Sequence, residues 1–164
     1  MYTYEENLFN VFNKCFQVLK LKGKMVLTFN NKDISAWLSL LFAIFRSGFS
    51  LSKNGIYFQS GVENYRQTAH TRFDGSPYGD FIYVFEKNTK NNFDSYESEE
   101  SFSDDLDFLY QKFSKIDKVS KYDWLMSFLD SSLPLIEGFS KSYLQHNKHN
   151  LFSKFNKSYL KRMY

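Results

Sequence analysis

One stretch, "KMVLTFNNKDISAWLSLLFAIFRS", constrains the fold most, because it places an apolar strand, a turn and an apolar helix in direct succession. The strand "KMVLTFN" is apolar almost throughout, which suits a strand buried on both faces of a parallel sheet. Asp33 is a plausible N-cap for the helix, and Gly48 is a natural stop after it. A second strand follows, so we expect a right-handed parallel crossover.

The flanking segments extend this pattern in both directions. The helix before the first strand has an apolar face at helical spacing, formed by Leu8, Val11, Phe12, Cys15, Val18 and Leu19. The helix after it has a broad apolar face formed by Trp37, Leu40, Leu41, Ile44 and Phe45. "FSLSKNGIYFQ" predicts a strand bent near Asn54-Gly55, and "DFIYVFEK" predicts a central strand with two apolar faces. The order helix–strand–helix–strand–strand predicts an α/β fold.

The C-terminal part differs in composition. Residues 91–107 contain seven acidic residues and no Lys or Arg, and we predict an acidic linker at 91–103. Helical spacing resumes in 104–164, where Pro134 is expected to break one helix and open the last. From Lys141 onwards there are six basic residues and no acidic ones, which marks a candidate polyanion contact. Two interpretations remain for this tail: an aromatic and basic nucleic-acid surface, or an amphipathic helix with a solvated basic side.

Several classes of protein and site are excluded or disfavoured. Cys15 is the single cysteine in 164 residues, which excludes an internal disulfide framework and a cysteine-rich zinc site. His146 and His149 are three residues apart on a predicted helix without acidic partners, so we expect no metal site. No signal-peptide pattern is present, and the run "AWLSLLFAIF" is too short to span a bilayer. We therefore expect a reducing, cytoplasmic location.

Two polar segments are candidate binding sites. Asn30, Asn31 and Lys32 follow a predicted parallel strand, at the sheet edge where open α/β sheets place ligands. The segment "YRQTAHTRFDGSPYGD" lies between the last two strands and carries Arg66, His70 and Arg72. Its two Arg side chains could hold phosphates or carboxylates, and its His could act as an acid or base. The alternatives are an Asx-type turn for the first segment and an ordinary surface loop for the second.

Residues 4–87 resemble the C-terminal half of a class I S-adenosylmethionine-dependent methyltransferase, and more narrowly bacterial and phage DNA adenine methylases. The blocks that carry the resemblance are "LKLKGKMVLTFNNKD", "AWLSLLFAIFRSGFSL" and "HTRFDGSPYGDFIYVFEK". The first is similar to the family's "LKPGG-L-V-TFxxKD" crossover, although Leu21 and Lys22 stand where the family often has Pro-Gly. The third is similar to its terminal hairpin. The resemblance implies an incomplete Rossmann-like sheet in residues 1–90, followed by the linker and the helical tail.

The resemblance also implies a function and its residues. Asn30, Asn31 and Lys32 would border the active-site edge, and His70, Thr71 and Arg72 would lie in the loop joining the last two strands, near DNA or the target base. The family's glycine-rich motif, which binds S-adenosylmethionine, and its Asp-Pro-Pro-Tyr-type catalytic motif are both absent from this chain. We therefore expect a fragment or split subunit that is inactive alone, with DNA and a chain carrying the N-terminal half as partners. The alternatives are a non-enzymatic module that binds nucleic acid or protein, and a degenerate prophage remnant.

Overall fold

The chain forms a mixed α/β structure in a computed structural model that describes residues 2–29, 34–60, 79–87, 99–115 and 121–142. Within these ranges the order of elements is α1 (Tyr2–Val18), β1 (Lys24–Phe29), α2 (Ile34–Arg46), β2 (Phe49–Ser60), β3 (Gly79–Lys87), α3 (Glu99–Ser114) and α4 (Lys121–Ser142). The predicted helix–strand–helix–strand–strand order is confirmed. No helix in these ranges is both long enough and apolar enough to cross a membrane.

The three strands form one sheet in the order β1-β3-β2, and both neighbouring pairs are antiparallel. Strands β1 and β2 therefore run in the same direction, as a crossover through α2 requires, but they are not neighbours. The prediction of a parallel sheet is wrong for the described strands. The physical reason is that β3 turns back from β2 and takes the position between β1 and β2, where it bonds to both.

Strand β1 is buried on one face only, which corrects the prediction of a strand covered on both faces. Met25, Leu27 and Phe29 are half-buried against the core, whereas Lys24, Val26 and Thr28 are exposed. Strand β3 is central, as predicted. Its buried face consists of Phe81, Tyr83 and Phe85, and its other face carries half-buried Ile82 and Val84.

Strand β2 bends where the sequence predicts. Its register against β3 shifts between Leu51 and Ile56, and Asn54 adopts a left-handed φ of 53°. Gly55 follows at a close approach of two backbones, since a Cβ there would lie 2.6 Å from the Val84 carbonyl oxygen. The Asn-Gly pair therefore allows a bulge that a larger second residue would not fit.

Helix α2 is buried on every side. All residues from Trp37 to Phe45 are buried, which confirms the predicted apolar face and adds Leu38, Phe42 and Ala43 to it. Helix α1, strand β2 and helix α4 all contact α2. A helix whose buried run is apolar except for Ser39 must be enclosed, and a fully buried Leu or Ile side chain contributes roughly 1.5–3 kcal/mol.

Polar contacts fix α1 against the rest of the core. Arg46 at the end of α2 bonds Glu5 at 2.8 Å and Glu6 at 3.0 Å, and its guanidinium lies 4.5 Å from the ring centre of Phe9. At the other end of α1, the Lys87 ammonium donates to the carbonyl oxygens of Phe16 and Leu19. The Phe16 carbonyl lies in the last turn of α1 and the Leu19 carbonyl directly follows it, and an ammonium group satisfies such helix-end carbonyls well.

The buried face of α1 differs from the predicted one. Phe12 is buried and Leu8, Cys15 and Leu19 are half-buried, but Val11 and Val18 are 56% and 85% exposed. Phe9 and Phe16 pack against the core instead. Aromatic rings bury more area than Val, so the helix turns its Phe residues inward.

The C-terminal helices share the same core. Phe102, Leu106, Leu129, Leu133 and Ile136 are buried in the cluster that includes α2. Helix α3 begins at Glu99, inside the segment predicted as a linker, and α4 continues through Pro134. The prediction that Pro134 breaks the helix is wrong. Pro134 lies on the exposed side of α4, and its neighbour Leu133 is fully buried in the core, so burial of the helix holds it together. Tertiary packing outweighs the lost backbone bond.

Replacing Gly48 by Ala is expected to lower the free energy of unfolding by about 1–3 kcal/mol. Gly48 has a φ of 99°, and an added Cβ would lie 3.0 Å from two ring atoms of Phe16. Urea unfolding of the full chain measures the change. The control is Asn54→Gly, which relieves a left-handed residue and is expected to change stability by less than about 1 kcal/mol. A Gly48→Ala variant as stable as this control would contradict the prediction.

Candidate functional site

The carboxyl ends of β1 and β2 lie at the same end of the sheet. Phe29, the last residue of β1, is the register partner of Phe81, and Phe58 near the end of β2 is the partner of the same residue. Neighbouring strands are about 4.8 Å apart, so Phe29 and Phe58 lie roughly 10 Å apart on either side of β3. This end of the sheet is named the strand-end site.

Both predicted binding segments are attached to the strand-end site. Residues 30–33 follow Phe29 and lead into α2, and residues 61–78 connect Ser60 of β2 to Gly79 of β3. The candidates Asn30, Asn31, Lys32, Arg66, His70, Thr71 and Arg72 all lie outside the described residues. For these residues the structure gives only the strand ends from which their segments start.

Aromatic side chains support the strand-end site from the core side. The ring centroids of Phe58 and Phe81 are 5.0 Å apart, and those of Phe81 and Tyr83 are 6.2 Å apart in a stacked arrangement. Trp37, in the first turn of α2, donates from Nε1 to the Tyr83 hydroxyl at 2.7 Å in a buried hydrogen bond. Packing and this bond fix the start of α2 to β3.

Sequence reasoning did not find the Trp37–Tyr83 bond. Periodicity placed both residues on apolar faces, which is where they lie. The signal that could have suggested a bond is chemical: a buried Trp N–H or Tyr O–H usually finds a polar partner. The pairing itself joins residues 46 positions apart, so neither segment reveals it alone.

The described residues at the strand-end site offer little chemistry of their own. Asp80 and Gln59 are exposed register partners at the start of β3 and the end of β2. No group of His, Cys, Asp and Glu within the described ranges has the arrangement to hold a metal ion. Further catalytic or binding groups at this site would come from residues beyond the described ones.

The described residues do not fit S-adenosylmethionine. This cofactor needs a turn that lets the backbone approach closely, and acceptors for its ribose hydroxyls. The described part of the strand-end site provides aromatic rings, Asp80 and Gln59, and no Gly-x-Gly pair occurs in the chain. A cofactor pocket therefore requires residues beyond those described.

Comparison with known proteins found no match. No family model matches the chain, and neither a curated protein nor a solved structure matches it. The order of elements, the strand register and the residue chemistry are the observations from which function is inferred.

Replacing Tyr83 by Phe is expected to lower the free energy of unfolding by about 1–3 kcal/mol, because the buried Nε1–H of Trp37 loses its acceptor. The control is Tyr57→Phe on the same sheet, where the side chain is 53% exposed and the expected change is within about 0.5 kcal/mol. Urea unfolding compares the two variants. A double-mutant cycle with Trp37→Phe then isolates the pair, and additive effects in that cycle would show that the bond contributes nothing.

Proposed function

We propose that this chain is a fragment or split subunit of a DNA adenine methyltransferase, and that it contributes substrate-side segments to a catalytic domain. The observation that carries the proposal is the strand-end site. Phe81 is the register partner of both Phe29 and Phe58, so the two segments that the resemblance assigns to the substrate side are attached to one end of one sheet.

The arrangement of strands is compatible with the resemblance. Strands β2 and β3 form a terminal antiparallel hairpin, and a helix connects the co-directional strands β1 and β2. A Rossmann-like sheet continued by further strands is part of the proposal. The described sheet has three strands, so the remaining strands would come from residues that carry the glycine-rich and Asp-Pro-Pro-Tyr-type motifs.

The residue types suit contacts with DNA. The side-chain amides of Asn30 and Asn31 can pair with base edges, and Arg66 and Arg72 can hold phosphates. His70 and Thr71 would approach the target base, which an enzyme of this class must flip out of the duplex to reach its amino group. S-adenosylmethionine would supply the methyl group and would be held by the complementary half. The proposal includes a cytoplasmic location, where DNA and the cofactor are both present.

A second candidate function is a non-enzymatic nucleic-acid-binding module. The observation that favours it is the enclosure of α2 by elements of this chain, with the C-terminal helices in the same core. A chain that builds its own core can fold without a complementary half. In this case the basic residues after Lys141, rather than the strand-end segments, would carry binding.

We expect the purified full chain to show no methyl transfer to adenine-containing duplex DNA and no binding of S-adenosylmethionine. The reason is that the chain lacks the glycine-rich and Asp-Pro-Pro-Tyr-type motifs. Radiolabel transfer and isothermal calorimetry measure the two properties. Activity is expected on co-expression with an upstream reading frame that carries both motifs. Robust turnover by this polypeptide alone would overturn the split-subunit proposal.

The double variant Arg66→Ala, Arg72→Ala is expected to weaken duplex binding and to reduce the slope of log affinity against log salt by about two, one per phosphate contact. Fluorescence anisotropy over a salt series measures both. The control Lys14→Ala removes an exposed cation from α1 and should leave binding unchanged. A tail variant, Lys154→Ala, Lys157→Ala, Lys161→Ala, separates the candidates. If the tail variant abolishes binding and the Arg66→Ala, Arg72→Ala variant does not, the result supports the nucleic-acid-binding module and argues against the split subunit.

A further inference from the structure

The two outer edges of the sheet differ in the hydrogen bonds that their outward backbone groups make. At the β2 edge, the backbone N–H of Leu51 donates to Glu137 Oε2 of α4 at 2.9 Å, and Glu137 is 5% exposed. Helix α4 thus covers that edge near Leu51. At the β1 edge, no strand or side chain among the described residues bonds to the outer row of backbone groups.

The register shows which groups of β1 face outward. Lys87 N–H donates to the Gly23 carbonyl oxygen at 2.9 Å, which makes Gly23 a residue that bonds towards β3. In an antiparallel ladder the bonding direction alternates along the strand, so Met25, Leu27 and Phe29 also bond towards β3. The N–H and C=O groups of Lys24, Val26 and Thr28 consequently point away from the sheet.

The middle of β1 lacks the devices that usually protect an edge. Natural edge strands carry Lys, Pro or a bulge that prevents another strand from pairing. Residues Met25 to Phe29 contain no charged residue and no Pro, and Val26 is 63% exposed beside half-buried Val84. Within the described part of the chain, the edge therefore presents unpaired backbone groups next to an apolar side chain.

Charge is concentrated at one end of this edge. Lys20, Lys22 and Lys24 are all exposed at and before the start of β1. Glu86 is the register partner of Lys24. A strand that added to β1 would be favoured by carboxylates where it meets these ammonium groups and by apolar residues further along.

We propose that the outer edge of β1 is a docking edge for an extended segment of a second polypeptide, which alternates apolar residues and carries carboxylates near Lys22 and Lys24. The segment extends the sheet to four strands by main-chain hydrogen bonds, as in β-strand addition. The assignment of that polypeptide to a complementary methyltransferase half rests on the proposed function. The docking edge itself does not depend on it.

The test uses the full chain and two labelled synthetic peptides of alternating Val and Thr. One peptide has two Glu at its N-terminus and the other has two Glu at its C-terminus, so that either strand direction can bring carboxylates to the lysines. Fluorescence anisotropy measures binding, and hydrogen exchange measures protection of the Val26 amide. We expect at least one peptide to bind and to slow that exchange.

Two variants locate the binding. Val26→Pro removes an outward donor without removing a bond to β3, since Pro is tolerated at edge positions whose N–H faces outward, and it should weaken binding about fivefold. Lys22→Glu should weaken binding about two- to fivefold and favour a Lys-ended peptide of the same pattern. Lys14→Glu makes the same charge change on α1 and should have no effect. If Val26→Pro does not fold, the comparison of Lys22→Glu with Lys14→Glu still decides.

Other results would overturn the proposal. These are no binding by either peptide, or equal binding by wild type, Val26→Pro and Lys22→Glu. Protection of the Val26 amide in the isolated chain, or a dimer that Val26→Pro dissociates, would mean that another segment or a second copy occupies the edge. None of these results involves methyl transfer, so the docking edge and the proposed function can fail separately.

Discussion

The enclosure of α2 is the constraint on which the rest of the structure depends. A helix in which nine consecutive residues from Trp37 to Phe45 are buried cannot lie at a surface, and it needs packing partners on all sides. The sheet provides one partner through Tyr83, whose hydroxyl bonds Trp37. Helix α1 provides another through the Arg46 ion pairs, and α4 covers a further side. The C-terminal helices are therefore part of the fold that the N-terminal segments require.

The central position of β3 has two consequences for function. It gathers the carboxyl ends of β1 and β2 at one end of the sheet, which creates the strand-end site from segments far apart in sequence. It also makes β1 and β2 the two edges of the described sheet. Glu137 accepts the outward N–H of Leu51 on β2, whereas no described residue bonds the outward groups of β1.

Local features of the fold could be predicted from the sequence, and non-local ones could not. The order of elements, the apolar face of α2, the stop at Gly48 and the bend at Asn54-Gly55 all follow from periodicity and turn chemistry. Strand composition does not reveal neighbours, however. Strand β1 looked like a strand covered on both faces because Val26 is apolar, yet Val26 is exposed. Pro134 likewise looked like a helix break, since the burial of Leu133 is a tertiary effect.

The candidate site shows the same division. The segments containing Asn30 and Arg66 were identified by their polar residues and their place beside strands, and the roles of those residues remain predictions. Their attachment to a common end of the sheet depends on register, because Phe29 and Phe58 both face Phe81. The sequence shows which residues are present, but it does not show which strands pair or in what register. The packing of Phe58, Phe81 and Tyr83 at this end of the sheet could not be predicted for the same reason.

The enclosed core and the β1 edge, which no described residue pairs with, together suggest how the chain could join another polypeptide. The core of the described residues is built from this chain's own helices and strands. In a protein that functions alone, both edges of the sheet are usually protected, since an unprotected edge strand can pair with other chains and aggregate. Here α4 covers one edge near Leu51, and the other edge exposes Val26 between outward backbone groups. That combination is what the proposed docking edge requires: a core built by this chain's own elements, and one strand edge to which another polypeptide can add.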